Sequence, residues 1–179
     1  MVIVAACGSP TSSPPASPAG HGAPGPSASL APTPDWYDIE MTDVRTGQGF
    51  AINDFAGKVV LVEAMAEWCP TCIEQQREVM KVHDQLASTD VVSVSLDIDV
   101  YEDGPSLKKY AEALGTDWHY AVAPLAVARA LGNLYSAEYL NPPYSPMLLI
   151  DRHGVATSLP YGLKSAEYLR TTLEPYLAP

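Results

Sequence analysis

The sequence predicts an α/β domain, and three observations support this class. An unbroken apolar run, Val59-Val60-Leu61-Val62, is typical of a strand that is covered on both faces, as the central strands of parallel sheets are. A Cys-x-x-Cys motif at 69–72 follows this run and leads into a stretch with helical periodicity. A second strand-like run at 91–96 is again followed by helical spacing, at 107–114. Strands that alternate with helices predict a sheet with helices packed on it.

The first half of the predicted domain carries the motif. It begins with a hairpin around 46–49, where apolar residues alternate with polar ones on both sides of a Gly-rich turn. A strand over 58–65 then leads to the cysteines, and an amphipathic helix over 70–86 follows them. After the strand at 91–96 we expect a helix over 105–114, with a proline near its start and a glycine just past its end.

The second half is predicted from shorter signals, chiefly apolar runs, turn residues and helix-boundary residues. The predicted elements are a strand over 118–122, a short helix over 124–131 that ends at Gly132, a long segment over 133–144, a strand over 147–150 that follows Ser145-Pro146, a hairpin turn over 151–154, and a last helix that begins near Ser165 and is interrupted by Pro175. The long segment is where we expect partner specificity.

The amino-terminal residues differ in composition from this domain. Residues 1–7 end in Val4-Ala5-Ala6-Cys7, which resembles the bacterial lipobox, so we expect Cys7 to carry lipid. The alternative is a fortuitous match, because only six residues precede Cys7 and none is basic. Residues 8–35 hold eight of the 17 prolines, and we expect a disordered tether there. No run of 18 apolar residues occurs, so membrane attachment depends on Cys7.

Charge and length bound the remaining possibilities. The formal net charge of −11 falls entirely after the first 34 residues, which are uncharged. An acidic balance argues against nucleic acid as a partner, because the phosphates would repel it. Residues 36–179 have the length of one ordinary domain, and we expect a single globular unit there.

The Cys69-Pro70-Thr71-Cys72 motif predicts a redox-active pair. Two cysteines one helical turn apart at a helix start can close a disulfide or open to a dithiol with little backbone movement. We expect Cys69 to be reachable and ionised, because the helix amino terminus favours a thiolate, and we expect Cys72 to be more buried. Pro70 falls at the first helical position, which it suits. A structural zinc site would need a fourth ligand, and an inert disulfide over so few residues removes little chain entropy.

The segment from Val62 to Cys72, with Gly57-Lys58 before it and Ser145-Pro146 through Gly154 after it, resembles the active-site region of the thioredoxin superfamily. The chain is most similar to the TlpA/ResA-like extracytoplasmic proteins, and the similar features follow one another in the same order over residues 36–177. The resemblance implies a thioredoxin-like fold: a central mixed sheet flanked by helices, with an N-terminal hairpin and a β-α insert. It also implies that the bond before Pro146 is cis, whereas an ordinary X-Pro bond at a strand start is trans, so the isomer stays open.

Residue roles follow from the same resemblance. It implies Cys69 as the attacking thiol, Cys72 as the resolving thiol and Glu63 as the buried acid that passes a proton to or from Cys72. The alternative for Glu63 is a strand-edge carboxylate that reaches water. In TlpA/ResA-like proteins an amide often replaces Glu63, and Met65 stands where the family commonly has a tryptophan. The resemblance also places five residues in contact with substrate, namely Trp68, Pro70, Thr71, Ser145 and Pro146.

The function expected from these features is thiol–disulfide exchange on the extracytoplasmic face of a bacterial membrane. By resemblance, the partners are an exported protein such as an apocytochrome or a copper-site protein, and a membrane thiol carrier that supplies electrons. No cofactor beyond the Cys69–Cys72 disulfide and no metal is expected. The alternative is a binding module, either one that handles Cu(I) through the two thiolates or an accessory subunit of a membrane complex. A peroxidase is a weaker alternative, because the Cys-x-x-Cys does not match the single-cysteine peroxidatic pattern.

Overall fold

The computed structural model describes residues 1–3, 33–86 and 91–177. Cys7 and residues 8–32 of the predicted tether lie outside these ranges, so the lipid anchor and the disordered tether stay predictions. None of the helices in the described part of the chain has the length and apolarity needed to cross a bilayer.

Seven strands lie within the described ranges and form two sheets. The strands are β1 (Met41–Thr42), β2 (Gly49–Phe50), β3 (Val59–Met65), β4 (Val91–Asp97), β5 (His119–Val122), β6 (Met147–Ile150) and β7 (Ala156–Ser158). The first two form an antiparallel hairpin, and the other five form a sheet of order β5-β4-β3-β6-β7. Within it β3, β4 and β5 are parallel, while β6 is antiparallel to both β3 and β7. The predicted mixed sheet and amino-terminal hairpin are confirmed.

Four α-helices flank the sheet in the described part of the chain. They are α1 (Pro70–Gln85), α2 (Gly104–Leu114), α3 (Leu125–Leu134) and α4 (Ala166–Leu177). Two of the boundary signals in the sequence operate as predicted. Gly115 adopts a left-handed φ of 77° at the end of α2. The hydroxyl of Ser165 accepts a hydrogen bond from the backbone N–H of Tyr168 at 3.1 Å, so Ser165 caps α4.

The central strand β3 is buried along its whole length, as the apolar run predicts. Its odd-numbered residues, such as Leu61, pack with α1, α2 and α4. Its even-numbered residues, such as Val62, pack with the hairpin and α3. Because side chains alternate along a strand, Glu63 lies on the α1 side of the sheet, where α1 carries the cysteine motif.

Two helix ends differ from prediction. Gly132 does not end α3, which continues to Leu134. A Cβ at Gly132 would lie 3.0 Å from Cδ1 of Leu140, so this glycine gives the packed leucine room and does not mark a stop. Pro175 does not interrupt α4, which runs to Leu177. It sits in the last turn, where the missing N–H costs only one helical hydrogen bond.

Short 3-10 turns replace extended or irregular chain at two places. The predicted first strand of the hairpin begins as a 3-10 turn, Asp35–Asp38, in which the adjacent Trp36 and Tyr37 are both buried. The segment predicted as a long loop contains two more such turns, Ala137–Leu140 and Pro142–Tyr144. The second of these contacts the cysteine motif.

Candidate active site

Cys69 and Cys72 are joined in a disulfide at the start of α1. Their sulfurs lie 2.30 Å apart and their Cα atoms 5.3 Å apart. β3 delivers the motif to this place, and Pro70 occupies the first helical position as predicted. Cys69 is the helix cap, because its Sγ accepts a hydrogen bond from the backbone N–H of Cys72 at 3.2 Å. The same N–H will stabilise a thiolate at Cys69 after reduction.

Both cysteines are fully buried, which corrects the prediction that Cys69 is reachable from solvent. The cover comes from the motif itself and from the Pro142–Tyr144 turn. The hydroxyl of Thr71 lies 3.2 Å from Sγ of Cys69 and donates to the carbonyl of Pro143 at 3.3 Å. The carbonyl oxygen of Pro142 lies 3.5 Å from Sγ of Cys72. The disulfide is therefore covered by Thr71 and by this turn.

The surface beside the disulfide is concave, with both apolar and polar lining. Trp68 is 56% exposed, and its indole N–H donates to the carboxylate of Asp99 at 2.6 Å. This bond holds the ring against a groove of about 220 Å³, whose other wall is the segment before Ser145. The groove is lined by Trp68, Ile98, Asp99, Val100, Leu140 and Pro142. Pro70 is exposed and Thr71 half-buried at the same surface.

Ser145 and Pro146 are buried next to the end of β3. The carbonyl of Pro146 accepts a hydrogen bond from the backbone N–H of Ala64 at 3.2 Å, and the peptide bond between Ser145 and Pro146 is trans. Ser145 has a left-handed φ of 43°. Its N–H donates to the carbonyl of Pro142 at 2.7 Å, and its carbonyl accepts from the ammonium of Lys164 at 2.6 Å. The resemblance places Ser145 in contact with substrate, but the N–H and the carbonyl of this residue are both hydrogen-bonded within the protein.

Glu63 is buried on the α1 side of the sheet, with 3% of its surface exposed. It does not reach water at a strand edge. Burial raises the pKa of Glu63 to about 8, while Gln76 and the positive charge of Lys164 oppose the rise. The side-chain oxygen of Gln76 accepts hydrogen bonds from the hydroxyls of Tyr110 and Tyr120, at 3.1 and 3.0 Å. Those bonds fix the orientation of the amide, and within the described residues neither its NH₂ group nor Oε1 of Glu63 has a hydrogen-bond partner.

One group of carboxylates in the described ranges is close enough to share a cation. Glu67, Asp97 and Glu102 each place an oxygen within 4.8 Å of the others. Burial, reinforced by Glu102 and Glu67, raises the pKa of Asp97 to about 8. These side chains accept hydrogen bonds from groups of the protein. For example, the backbone N–H of Glu67 donates to the carboxylate of Glu102 at 2.8 Å. The group makes the surface between Trp68 and α2 acidic.

The sequence did not indicate every residue of this site. Lys164 lies in a loop without periodicity, and nothing in its neighbourhood along the chain marks it. The spacing in the sequence does indicate Gln75 and Gln76. They follow Cys72 by three and four residues and therefore lie on the same buried face of α1. Polar residues on the buried face of a helix indicate a hydrogen-bonded site beneath it.

The sequence profile of the Redoxin family matches residues 22–168, which is most of the chain. The chain belongs to the Redoxin family. No curated protein matches the sequence. A Redoxin-family chain with a bonded Cys-x-x-Cys pair at a helix start is a thioredoxin-like oxidoreductase, and the resemblance to the thioredoxin superfamily is confirmed.

Solved structures similar to this Redoxin-family chain share its fold. A thiol:disulfide interchange protein from Chlorobium tepidum is 20% identical, with a TM-score of 0.66 over 83% of this chain and 99% of that one. A thiol-disulfide isomerase from Corynebacterium glutamicum is also 20% identical, with a TM-score of 0.63 over 83% and 97%. A secreted Mycobacterium tuberculosis disulfide oxidoreductase, homologous to Escherichia coli DsbE, is 16% identical, with a TM-score of 0.57 over 76% and 95%.

Proposed function

We propose that this oxidoreductase reduces disulfides of exported proteins on the extracytoplasmic face of a bacterial membrane, to which lipid on Cys7 tethers it. The observation that carries the proposal is the Cys69–Cys72 disulfide at the amino terminus of α1, with the acid Glu63 buried on the same side of the sheet. The lipobox-like sequence before Cys7 and the Pro-rich segment after it support the location. A secreted neighbour of the same fold is consistent with it.

The reaction begins with the reduced pair. The thiolate of Cys69 attacks one sulfur of a substrate disulfide, so that a mixed disulfide forms and the other substrate sulfur leaves as a thiolate, which takes a proton. Cys72 then loses its proton to the carboxylate of Glu63 and attacks Sγ of Cys69. This step closes the Cys69–Cys72 bond and frees the second substrate thiol. Two electrons and two protons pass to the substrate, and a membrane thiol carrier reduces the pair again.

The geometry supports these roles. The N–H of Cys72 points at Sγ of Cys69 and favours its ionisation. The exposed ring of Trp68 and the groove beside it can accept an apolar side chain next to the substrate disulfide. Pro70 is exposed, so the substrate contact proposed for it needs no movement of the chain. The contacts proposed for Thr71, Ser145 and Pro146 require the Pro142–Tyr144 turn to open, because that turn contacts Thr71, Cys72 and Ser145.

An insulin-reduction assay with pre-reduced protein tests the proposal. We expect the parent to reduce insulin and Cys69→Ser to be inactive, while Cys7→Ser, which changes a cysteine outside the motif, keeps full activity. A Cys69→Ser variant as active as the parent refutes the enzyme role of Cys69. Stoichiometric Cu(I) uptake by a parent without exchange activity supports the binding-module alternative instead.

A further inference from the structure

Lys164 is a buried lysine that bridges the two halves of the exchange site. Only 4% of its surface is exposed. Its ammonium group donates to the carbonyl oxygens of Ser145, Gly162 and Pro160, at 2.6, 2.6 and 3.1 Å. These three acceptors match the three donors of an ammonium group, which offsets the cost of removing the charge from water.

The backbone of Lys164 is tied to the helix that carries the disulfide. The side-chain amide of Gln75 donates to the carbonyl of Lys164 at 3.1 Å and accepts from its N–H at 2.8 Å. Gln75 follows Cys72 by three residues, so it lies one turn further along α1. Through its backbone and its ammonium group together, Lys164 connects α1 to the Ser145–Pro146 segment.

Ser145 needs such a connection. Its left-handed backbone, with φ of 43° and ψ of 55°, is costly for a residue with a side chain and persists only where the surroundings hold it. The surroundings here are the bond from Lys164 to its carbonyl and the bond from its own N–H to Pro142. The second bond ties Ser145 to the turn that covers the disulfide, whereas the bond to Lys164 does not involve that turn.

We propose that Lys164 is a positioning residue for disulfide exchange, in which its ammonium group holds the Ser145 carbonyl and so fixes the segment against which a protein substrate docks. The inference rests on the proposed function. A small disulfide reagent needs only the thiolate of Cys69, whereas a protein substrate also needs the ordered segment. Loss of the ammonium group therefore impairs exchange with proteins and spares exchange with small disulfides.

The test compares Lys164→Met, which keeps the length and apolar stem of the side chain, with Lys164→Arg and with the control Lys109→Met at an exposed lysine of α2. Pre-reduced proteins react with insulin and with the small disulfide DTNB. For Lys164→Met we expect an insulin rate about tenfold lower, the size that one lost charge-assisted hydrogen bond gives, and an unchanged DTNB rate. We expect Lys164→Arg to restore part of the insulin rate, and Lys109→Met to match the parent.

An unchanged insulin rate in Lys164→Met overturns the proposal, and so does an equal loss toward both substrates, which marks a general structural defect. Activity toward DTNB in every variant shows that the exchange function itself stands. A second measurement does not depend on that variant folding. In a Cys72→Ser protein with a peptide trapped on Cys69, the ¹⁵N signal of the Lys164 ammonium group should shift while that of Lys109 stays. An unmoved Lys164 signal also overturns the proposal.

Discussion

Glu63 and Lys164 are both buried beside the helix that carries the disulfide. Each is less than one-twentieth exposed, at 3% and 4%, and each feels the charge of the other. Burial raises the pKa of Glu63 to about 8 and lowers the pKa of Lys164 to about 8, while their mutual attraction opposes both shifts. The site therefore contains two groups that titrate in the range where thiols also ionise.

We predict that Glu63→Gln slows the step in which Cys72 resolves the mixed disulfide and removes the part of its pH dependence that the carboxyl of Glu63 supplies. In the parent, the ionised carboxylate takes the proton of Cys72, so the resolving rate should rise as the pH passes through about 8. In the variant we expect a rate roughly 10²-fold lower above pH 8, the lower end of the usual contribution of a general base. Stopped-flow release of a thiol from a preformed mixed disulfide measures this step. An unchanged profile contradicts the role of Glu63.

The same substitution should change stability in a pH-dependent way. Because the pKa of Glu63 is raised in the folded protein, the unfolded chain ionises first, and stability falls as the pH rises from about 4.5 to about 8. Glu63→Gln removes this loss, so at pH 8 we expect the variant to be more stable by about 2–5 kcal/mol and at pH 4 to match the parent. Urea unfolding of the oxidised proteins at both pH values measures the difference. Equal stability at pH 8 would show that Glu63 is not buried as an acid.

The fold and the motif could be predicted from the sequence because their signals are local. Uninterrupted Val and Leu in β3, the Cys-x-x-Cys at a helix start and the cap at Ser165 each act over a few residues. The burial of the motif could not be predicted, since the turn that contacts it through Thr71 and Cys72 lies some seventy residues away along the chain. Lys164 was missed for the same reason, because its partners are loop carbonyls that no periodicity marks.

We predict that Trp68→Ala weakens the reaction with protein substrates. The exposed indole lines the groove beside Cys69, and exposed aromatic rings of this kind supply much of the binding energy at protein interfaces. We expect the insulin rate to fall by about tenfold, equivalent to about 1.4 kcal/mol, with a smaller effect on DTNB. The control is Tyr101→Ala, which removes a fully exposed aromatic ring that does not line the groove. Equal losses in the two variants would contradict a specific role for Trp68.

Cys7→Ser should release the protein from membranes. The proposed attachment is through lipid at Cys7, and stable anchoring requires more than one acyl chain. We expect the parent in the membrane fraction of an expressing bacterium and in the detergent phase of a Triton X-114 separation. The variant should appear in the soluble fraction with its insulin activity unchanged. A variant that stays in the membrane fraction would contradict the lipid anchor.

The central claim is that Cys69 attacks and Cys72 resolves, and trapping the mixed disulfide tests it most directly. A Cys72→Ser protein is mixed with a peptide disulfide, and the adduct is mapped by mass spectrometry after proteolysis without reductant. We expect one peptide per protein, joined to Cys69, and no adduct with a double variant that combines Cys69→Ser and Cys72→Ser. An adduct on Cys7 alone, or none on Cys69 under conditions in which the parent reduces insulin, would contradict it.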